Sequence, residues 1–328
     1  MNMPAEGATS RRRSRIGRIM ADRESNPLPV DGVAVTIPCE DGVLLGGHVW
    51  RSAAGSAGRV IINPATGVLA RYYHRYARFL ASHGFDVLTY DYRGIGASRP
   101  ARMRGCGYRW RDWGCHDFEA ALRFMRQRGT GGPLTVVGHS FGGVIPGLAR
   151  SVGLVDRVLT VGAQYAWWGD YAPKRRLALV LKWHLVMPFV TACWGYFPGK
   201  ALGWLEDLPA GVAHEWSFRG PRLENSHPRQ ERSAVIDRMA RVTAPILAVI
   251  VSDDELGTVP AIRRTLDYYA GSVRTTVMLR PGDYDRQAIG HFGLFRDEHA
   301  TGFWKDTLAW LGSGVNPWPE WQLPRSSP

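Results

Sequence analysis

The sequence predicts an α/β fold with a mostly parallel sheet, and two patterns carry that prediction. From Val33 onward, short β-rich runs alternate with helical runs, which is typical of a sheet covered by helices on both faces. In addition, a G-x-S-x-G pentad from Gly138 to Gly142 stands directly between an apolar run and a helical run. The chain has 328 residues, of which 45% are apolar and 21% charged, so it can hold one such core with an insertion.

The predicted strands open with an antiparallel hairpin. The turn signal Glu40-Asp41-Gly42 separates two β-rich runs at 33–38 and 43–50. Later strands are predicted from the apolar runs at 59–63, 86–91, 133–139, 157–163, 245–251 and 273–279. Helices are predicted at 70–83, 115–128, 141–150, 259–271 and 300–312, with Gly84 as a C-cap candidate for the first.

The alternation of strands and helices stops between Ala166 and Arg241, a stretch rich in Trp, Tyr, Gly and Pro. We expect residues 166–241 to form an inserted lid over the carboxyl edge of the sheet, which divides the core into 31–165 and 242–312. Its most apolar part, Leu177 to Phe197, is long enough to span a bilayer but contains Lys182, His184 and Pro188. The prediction is therefore a buried or cap-type helix, without stable membrane insertion.

The ends of the chain differ in composition from the core. Residues 1–20 carry five Arg and one acid, part of a formal net charge of +12, and no apolar segment follows the RRRSR run as a signal peptide requires. We expect 1–30 to be a disordered basic arm and 313–328 to be a polar tail. With neither a zinc-finger nor an RNP-like motif, no nucleic-acid partner is expected.

Four Cys residues without a CxxC pair are too few for a disulfide scaffold and give no zinc or redox motif. A reduced, cytoplasmic location is the resulting expectation. No GxGxxG follows a strand and no P-loop is present, so neither a nucleotide, a flavin nor a metal cofactor is predicted.

The pentad predicts an exposed nucleophile. In a strand–turn–helix of this kind the turn is so tight that side chains at Gly138 or Gly142 would clash, and Ser140 projects from the sheet edge on a strained backbone. A helix beginning at this point would also favour negative charge that develops beside the serine.

A second motif supports the same interpretation: Asp91 to Ser98 has the pattern D-x-R-G-x-G-x-S. With both motifs, and with NPATG, SDDE and GHFGLFR, the chain resembles the α/β-hydrolase superfamily over roughly residues 33–312. The likeness is strongest to its serine aminopeptidase/lysophospholipase-like branch. For Arg93 we expect a role in holding loops by hydrogen bonds rather than in catalysis.

The resemblance implies a catalytic triad, since a serine nucleophile needs a base and the base needs an orienting acid. It places the base at His291, on the loop between the last strand and the last helix, whereas His299 looks like a solvated residue at a helix start. The acid follows the strand at 245–251. Neighbouring side chains point to opposite sides, so Asp253 and Asp254 cannot both face His291, and the family's spacing to the next helix favours Asp254.

The resemblance also implies an oxyanion hole made of backbone N–H groups. One donor is Phe141, directly after the nucleophile, and the other lies in the loop Asn63 to Gly67, where Ala65 and Thr66 are alternatives. Superfamily members more often have a His-Gly pair in this loop.

The function implied is that of a serine hydrolase, which cleaves an ester or related acyl bond of a small, mainly apolar substrate through an acyl-enzyme. Six Trp residues in the inserted segment, with few acids, favour an apolar acyl or alcohol group. Two alternatives stay open: acyl transfer or cofactor-free perhydrolysis with the same triad, and a non-catalytic ligand-binding protein that keeps the fold.

Overall fold

The computed structural model of the chain describes residues 31–53, 55–128 and 131–324. The basic arm predicted for residues 1–30 therefore lies outside the described residues, as do the last four residues of the predicted tail.

The strands follow one another along the chain as β1 (Val33–Pro38), β2 (Leu44–Trp50), β3 (Gly58–Asn63), β4 (Phe85–Tyr90), β5 (Leu134–His139), β6 (Arg157–Val161), β7 (Tyr196–Phe197), β8 (Leu208–Pro209), β9 (Ile246–Val251) and β10 (Arg274–Leu279). All except β7 and β8 form an eight-stranded sheet with the order β1-β2-β4-β3-β5-β6-β9-β10. The pairs β1/β2 and β2/β4 are antiparallel, and the remaining pairs of this sheet are parallel. The predicted mostly parallel sheet, including its opening hairpin, is confirmed.

Helices cover both faces of the sheet. Neighbouring residues of a strand point to opposite sides, and accordingly Ile61 belongs to one hydrophobic cluster while Val60 and Ile62 belong to another. The first cluster includes side chains of the helices Glu119–Gln127 and Val259–Asp267. The second includes side chains of the helices His74–Ser82 and Lys305–Ser313.

The predicted helix at 141–150 is not an α-helix. Two short 3₁₀ turns, Ser140–Gly143 and Ile145–Leu148, take its place. Pro146 lacks an N–H group for helical hydrogen bonding, and the glycines of this segment lose more backbone entropy in a helix than other residues. Turns of four residues have no sizeable helix dipole, so that part of the sequence argument for Ser140 is wrong.

The predicted polar tail is packed against the core as far as the structure describes it. Trp318 is buried, and its ring stacks on that of Phe303 with 5.6 Å between centroids. Further along, the Leu323 N–H donates to the Thr276 carbonyl at 2.8 Å, beside the edge strand β10. The tail is therefore part of the fold up to this point.

The structure describes every residue between β6 and β9, and none of them forms a strand of the main sheet. We call residues 166–241 the cap segment. In it, β7 and β8 pair as a small antiparallel ribbon. Its helices are Arg176–Val180, Met187–Trp194, Ala210–Ser217 and Arg232–Ala240, with a π-helical stretch Leu181–Val186 between the first two.

The most apolar part of the cap segment is one continuous helix, Arg176–Trp194, which we call the cap helix. Among the described residues it is the helix long and apolar enough to cross a membrane, by length and composition only. Leu177 and Phe189 are 74% and 70% exposed, so of the two predicted alternatives, a buried or a cap-type helix, the buried one is wrong for the outer face.

Candidate active site

Ser140 occupies a strained backbone position directly after β5. Its φ is 55°, a left-handed conformation that is costly for a residue with a side chain and clusters at functional sites. The flanking glycines are needed because the turn is tight. A Cβ at Gly142 would lie 2.3 Å from the Asn63 carbonyl oxygen, and one at Gly138 would lie 2.5 Å from the Gly143 Cα.

Asp254 and His291 form a buried pair. Asp254 follows β9 and accepts a hydrogen bond from His291 Nδ1 at Oδ2, at 2.7 Å, with side-chain exposures of 0% and 6%. The other carboxylate oxygen accepts the N–H groups of Leu256 and Gly257, each at 2.8 Å. Burial raises the pKa of Asp254, but His291 and these two amides outweigh it and hold the pKa below its ordinary value.

This contact defines the tautomer of the His291 imidazole. A carboxylate only accepts hydrogen bonds, so Nδ1 of His291 carries the proton that is shared with Asp254. With that proton on Nδ1, Nε2 is the nitrogen left to act as the base, which is the arrangement a general base requires.

Asp253 holds the loop of His291 rather than its ring. Its two carboxylate oxygens accept the N–H groups of Ile289 at 2.9 Å and Gly290 at 3.0 Å. From the sequence, Asp253 was expected to cap or to face solvent, and it is exposed. Both neighbouring acids also hold the same loop, one through the ring of His291 and the other through the backbone just before it.

His139 links the nucleophile turn to the His291 loop. Its Nε2 lies 2.8 Å from the His291 carbonyl oxygen and its Nδ1 lies 2.7 Å from the Tyr73 hydroxyl. Since a carbonyl only accepts, Nε2 carries the proton and Nδ1 accepts from Tyr73. Burial, assisted by the neighbouring His291, lowers the pKa of His139 to about 3, so this ring is neutral.

The same tyrosine bears on the oxyanion hole. The Ala65 N–H donates to the Tyr73 hydroxyl at 3.0 Å, so this predicted donor is already engaged. The other alternative in the loop is Thr66, whose hydroxyl accepts from Trp110 Nε1 at 2.9 Å. The Ala65 N–H could reach an oxyanion only by releasing Tyr73, which favours Thr66 as the second donor, and the choice between the two stays a prediction.

Two residues beside the nucleophile were missed by the sequence argument. Gln164 donates from Nε2 to Ser140 Oγ over a long 3.4 Å, and Trp110 stacks on Phe141 with 4.2 Å between ring centroids. Gln164 lies just beyond the carboxyl end of β6, and that position is a usable signal. Trp110 reaches the site only through tertiary packing.

Gly162 lies against the Asp254–His291 pair. A Cβ built there would be 2.9 Å from Asp254 Oδ2 and 3.1 Å from His291 Cε1, and its φ is +59°. The pair therefore fits into a space that only a glycine leaves open.

The remaining predicted residues lie outside this cluster. Arg93 is buried between Asp117 and Asp41, each at 2.6 Å, as expected of a loop-holding residue. His299 is buried rather than solvated, and its ring contacts that of Tyr284 at 5.8 Å. Within the described parts of the chain, no group of three or more His, Cys, Asp or Glu side chains is arranged to hold a metal ion.

Comparison with known structures shows the fold class. An esterase of Pyrococcus furiosus is 16% identical, with 95% of this chain and 97% of that chain covered and a TM-score of 0.56. A soluble variant of the monoglyceride lipase of Saccharomyces cerevisiae, solved with a substrate analogue, is 15% identical, with 89% and 98% covered and a TM-score of 0.62. These likenesses show that the chain has the α/β-hydrolase fold.

A narrower match comes from the family models. Residues 56–182 match the family described as serine aminopeptidase, S33. A monoacylglycerol lipase of Paleococcus ferrophilus has a TM-score of 0.51 at 15% identity, with 83% of this chain and 99% of that chain covered. No curated protein matches the chain.

Proposed function

We propose that the protein is a serine hydrolase that cleaves an ester or related acyl bond through an acyl-enzyme. The observation that carries this proposal is the strained Ser140 at the end of β5, on the same sheet edge as the buried Asp254–His291 pair. In this proposal Ser140 Oγ attacks the acyl carbonyl while His291 Nε2 takes its proton. The same nitrogen then protonates the leaving alcohol, and water activated by His291 releases the acid.

The backbone of the nucleophile turn supplies the electrostatic part of the mechanism. The negative oxygen of the tetrahedral intermediate binds the Phe141 N–H and a second N–H from the loop that contains Thr66. Trp110 braces both partners, because it stacks on Phe141 and hydrogen-bonds the Thr66 hydroxyl. The two donors are thereby held in place before the reaction begins.

An apolar substrate is favoured by the aromatic side chains around this turn. The rings of Phe141, Trp110, Trp216 and Trp183 are stacked in succession, with 4.2, 5.7 and 4.6 Å between centroids. They join the residue after the nucleophile to the inner face of the cap helix. In this proposal an acyl chain or another neutral group packs against this buried aromatic stack and binds through apolar area removed from water.

A charged group also lies against this stack. Arg219 is buried, with its guanidinium 5.0 Å from the Trp110 ring. In an ester panel, we expect neutral esters to be the better substrates. A clear preference for esters with a carboxylate would contradict the apolar substrate class and point to Arg219 as its binding partner.

The activity is tested by labelling with a fluorophosphonate probe, which reacts with activated serines. The wild-type chain and the control Ser313→Ala, at an exposed serine, should be labelled equally, while Ser140→Ala should be unlabelled and inactive on esters. Labelling or ester hydrolysis that persists in a folded Ser140→Ala variant would overturn the proposal. A wild-type chain that neither reacts nor hydrolyses any ester would favour the non-catalytic alternative.

A further inference from the structure

The cap helix presents a continuous apolar stripe to solvent. Its large apolar side chains recur at every fourth position, and their exposed fractions are 74% for Leu177, 47% for Leu181, 58% for Leu185 and 70% for Phe189. On a regular α-helix, side chains four residues apart shift gradually from one face to the next. The π-helical stretch Leu181–Val186 widens the turn in the middle and keeps the stripe in line.

The opposite side of the same helix is firmly docked. Trp183, Met187 and Thr191 are buried, also at a spacing of four. Trp183 stacks on Trp216 in the stack that leads to Phe141. The inner side of the helix is therefore packed against the protein, and the stripe lies on its free side. Soluble proteins rarely leave so much contiguous apolar surface without a partner.

The charged residues within this stretch of the sequence are all basic, although Lys200 also contacts Glu206 at 3.8 Å. From residue 171 to residue 205 the sequence has no Asp or Glu, and its five cations are Lys174, Arg175, Arg176, Lys182 and Lys200. Three of them directly precede the first exposed leucine of the stripe. Of these three, Lys174 is exposed, while Arg175 contacts Glu255 at 3.1 Å.

We propose that this stripe docks the protein peripherally on an anionic lipid bilayer. The side chains of Leu177, Leu181, Leu185 and Phe189 would enter the boundary between headgroups and acyl chains, and the basic residues would contact lipid phosphates. The helix lies in the interface and does not span it, because its inner face stays packed on Trp216. A second copy of the chain is a poorer occupant, since it would bring a stripe of the same charge against this one.

Docking in this way needs no catalysis, so the inference stands independently of the proposed hydrolysis. It also has a consequence for that activity. The aromatic stack beneath the cap helix ends at the residue after Ser140, so the proposed site would lie on the lipid-facing side of the molecule.

The test is co-sedimentation of the full chain with vesicles. One set is phosphatidylcholine alone, and in the other about a third of the lipid is phosphatidylglycerol. The wild-type chain should bind the anionic vesicles, and binding should weaken strongly at about 1 M salt, where the Debye length is only ~3 Å. Lys174→Glu should bind roughly tenfold more weakly.

The decisive variant is the triple change Leu181→Ser, Leu185→Ser and Phe189→Ser. It should bind anionic vesicles at least roughly 100-fold more weakly, because three apolar side chains no longer enter the lipid. The matched control replaces three exposed apolar residues elsewhere, Val33→Ser, Leu44→Ser and Val315→Ser, and should bind as the wild type does. All variants keep the five arginines of the first 20 residues, so a difference between them reports on the stripe.

Two results would overturn the inference. One is equal vesicle binding by the triple variant and the wild-type chain, which would assign the attraction to the basic arm. The other is a wild-type dimer that becomes a monomer in the triple variant, without vesicle binding by either, which would make the stripe a contact between copies. Hydrolysis of a water-soluble ester, measured alongside, should be equal in the wild-type chain and the triple variant.

Discussion

The carboxyl edge of the sheet and the cap segment satisfy their side chains in opposite ways. At the edge, three consecutive acids after β9 each have a partner: Asp253 binds backbone amides, Asp254 binds His291, and Glu255 contacts Arg175. In the cap segment, large apolar side chains such as Leu177 and Phe189 stay in contact with water.

The two regions differ in where their side chains find partners. The edge finds its partners within the chain. Asp254 is buried, and a buried carboxylate is tolerated only when it is hydrogen-bonded, while the exposed Asp253 and Glu255 also have partners there. The cap helix is packed against the protein only on its inner side. We expect its exposed outer side to bind a partner from outside the chain. Chemistry is therefore expected at the edge and recognition at the cap segment.

The tight packing of the edge can be broken by one methyl group. Gly162→Ala would place a Cβ 2.9 Å from Asp254 Oδ2, at a φ of +59°. We expect kcat/KM on a soluble ester to fall on the order of 100-fold, because small displacements of catalytic groups are costly. Melting temperature is measured in parallel, since the strained φ also destabilises the fold.

Gly220→Ala is the matched control in the cap segment, where an added Cβ meets nothing within 4 Å. It should retain wild-type activity. If both alanine variants were equally active, the edge would be more adaptable than its geometry indicates, and the contrast between the two regions would not hold.

A buried histidine of the cap segment makes the stability of the protein depend on pH. His227 is buried and neither ring nitrogen has a hydrogen-bond partner, whereas His291 is held by Asp254. Burial, with the nearby charge of Arg219, lowers the pKa of His227 to about 4. Below its ordinary pKa of about 6.5, the unfolded chain takes up a proton that the folded chain does not.

The free energy of unfolding should therefore fall between pH 7 and pH 5, and the contribution of His227 to that fall is about 2 kcal/mol. Urea unfolding at several pH values measures it. His227→Gln should make the dependence shallower, while His214→Gln, at an exposed residue of the same segment, should keep the wild-type slope. An unchanged slope in His227→Gln would show that this ring is charged or solvated in the folded protein.

Much of the fold could be predicted because the core strands have short-range signatures. The hairpin from Val33 to Trp50 is marked by the turn signal Glu40-Asp41-Gly42 between two β-rich runs, and continuous apolar runs such as Ile246–Val251 mark strands buried on both faces. The position of Ser140 could be predicted for the same reason, since strand, turn glycines and nucleophile are adjacent in the chain.

The rest depends on packing that no local pattern encodes. An apolar run such as the cap helix has the same composition whether its outer face is covered or exposed, so the sequence could not distinguish the two cases. Trp110 and Asp253 act through partners that are distant along the chain, at Thr66 and Ile289. Trp318 shows the same limit, because this residue of the proline-rich tail is buried only through its contact with Phe303 in the core.

The central claim is that Ser140, His291 and Asp254 act as one catalytic unit, and the most direct test is turnover of one ester by Asp254→Asn beside Asp253→Asn. In Asp254→Asn, the Leu256 and Gly257 amides would attract the oxygen of the new side-chain amide, which turns its NH₂ towards His291 Nδ1 and imposes the wrong tautomer. We predict a loss of kcat on the order of 10⁴ for Asp254→Asn. For Asp253→Asn, which disturbs only the loop amides, we predict a loss of about tenfold. Equal losses, or a larger loss in Asp253→Asn with both proteins folded, would contradict the account.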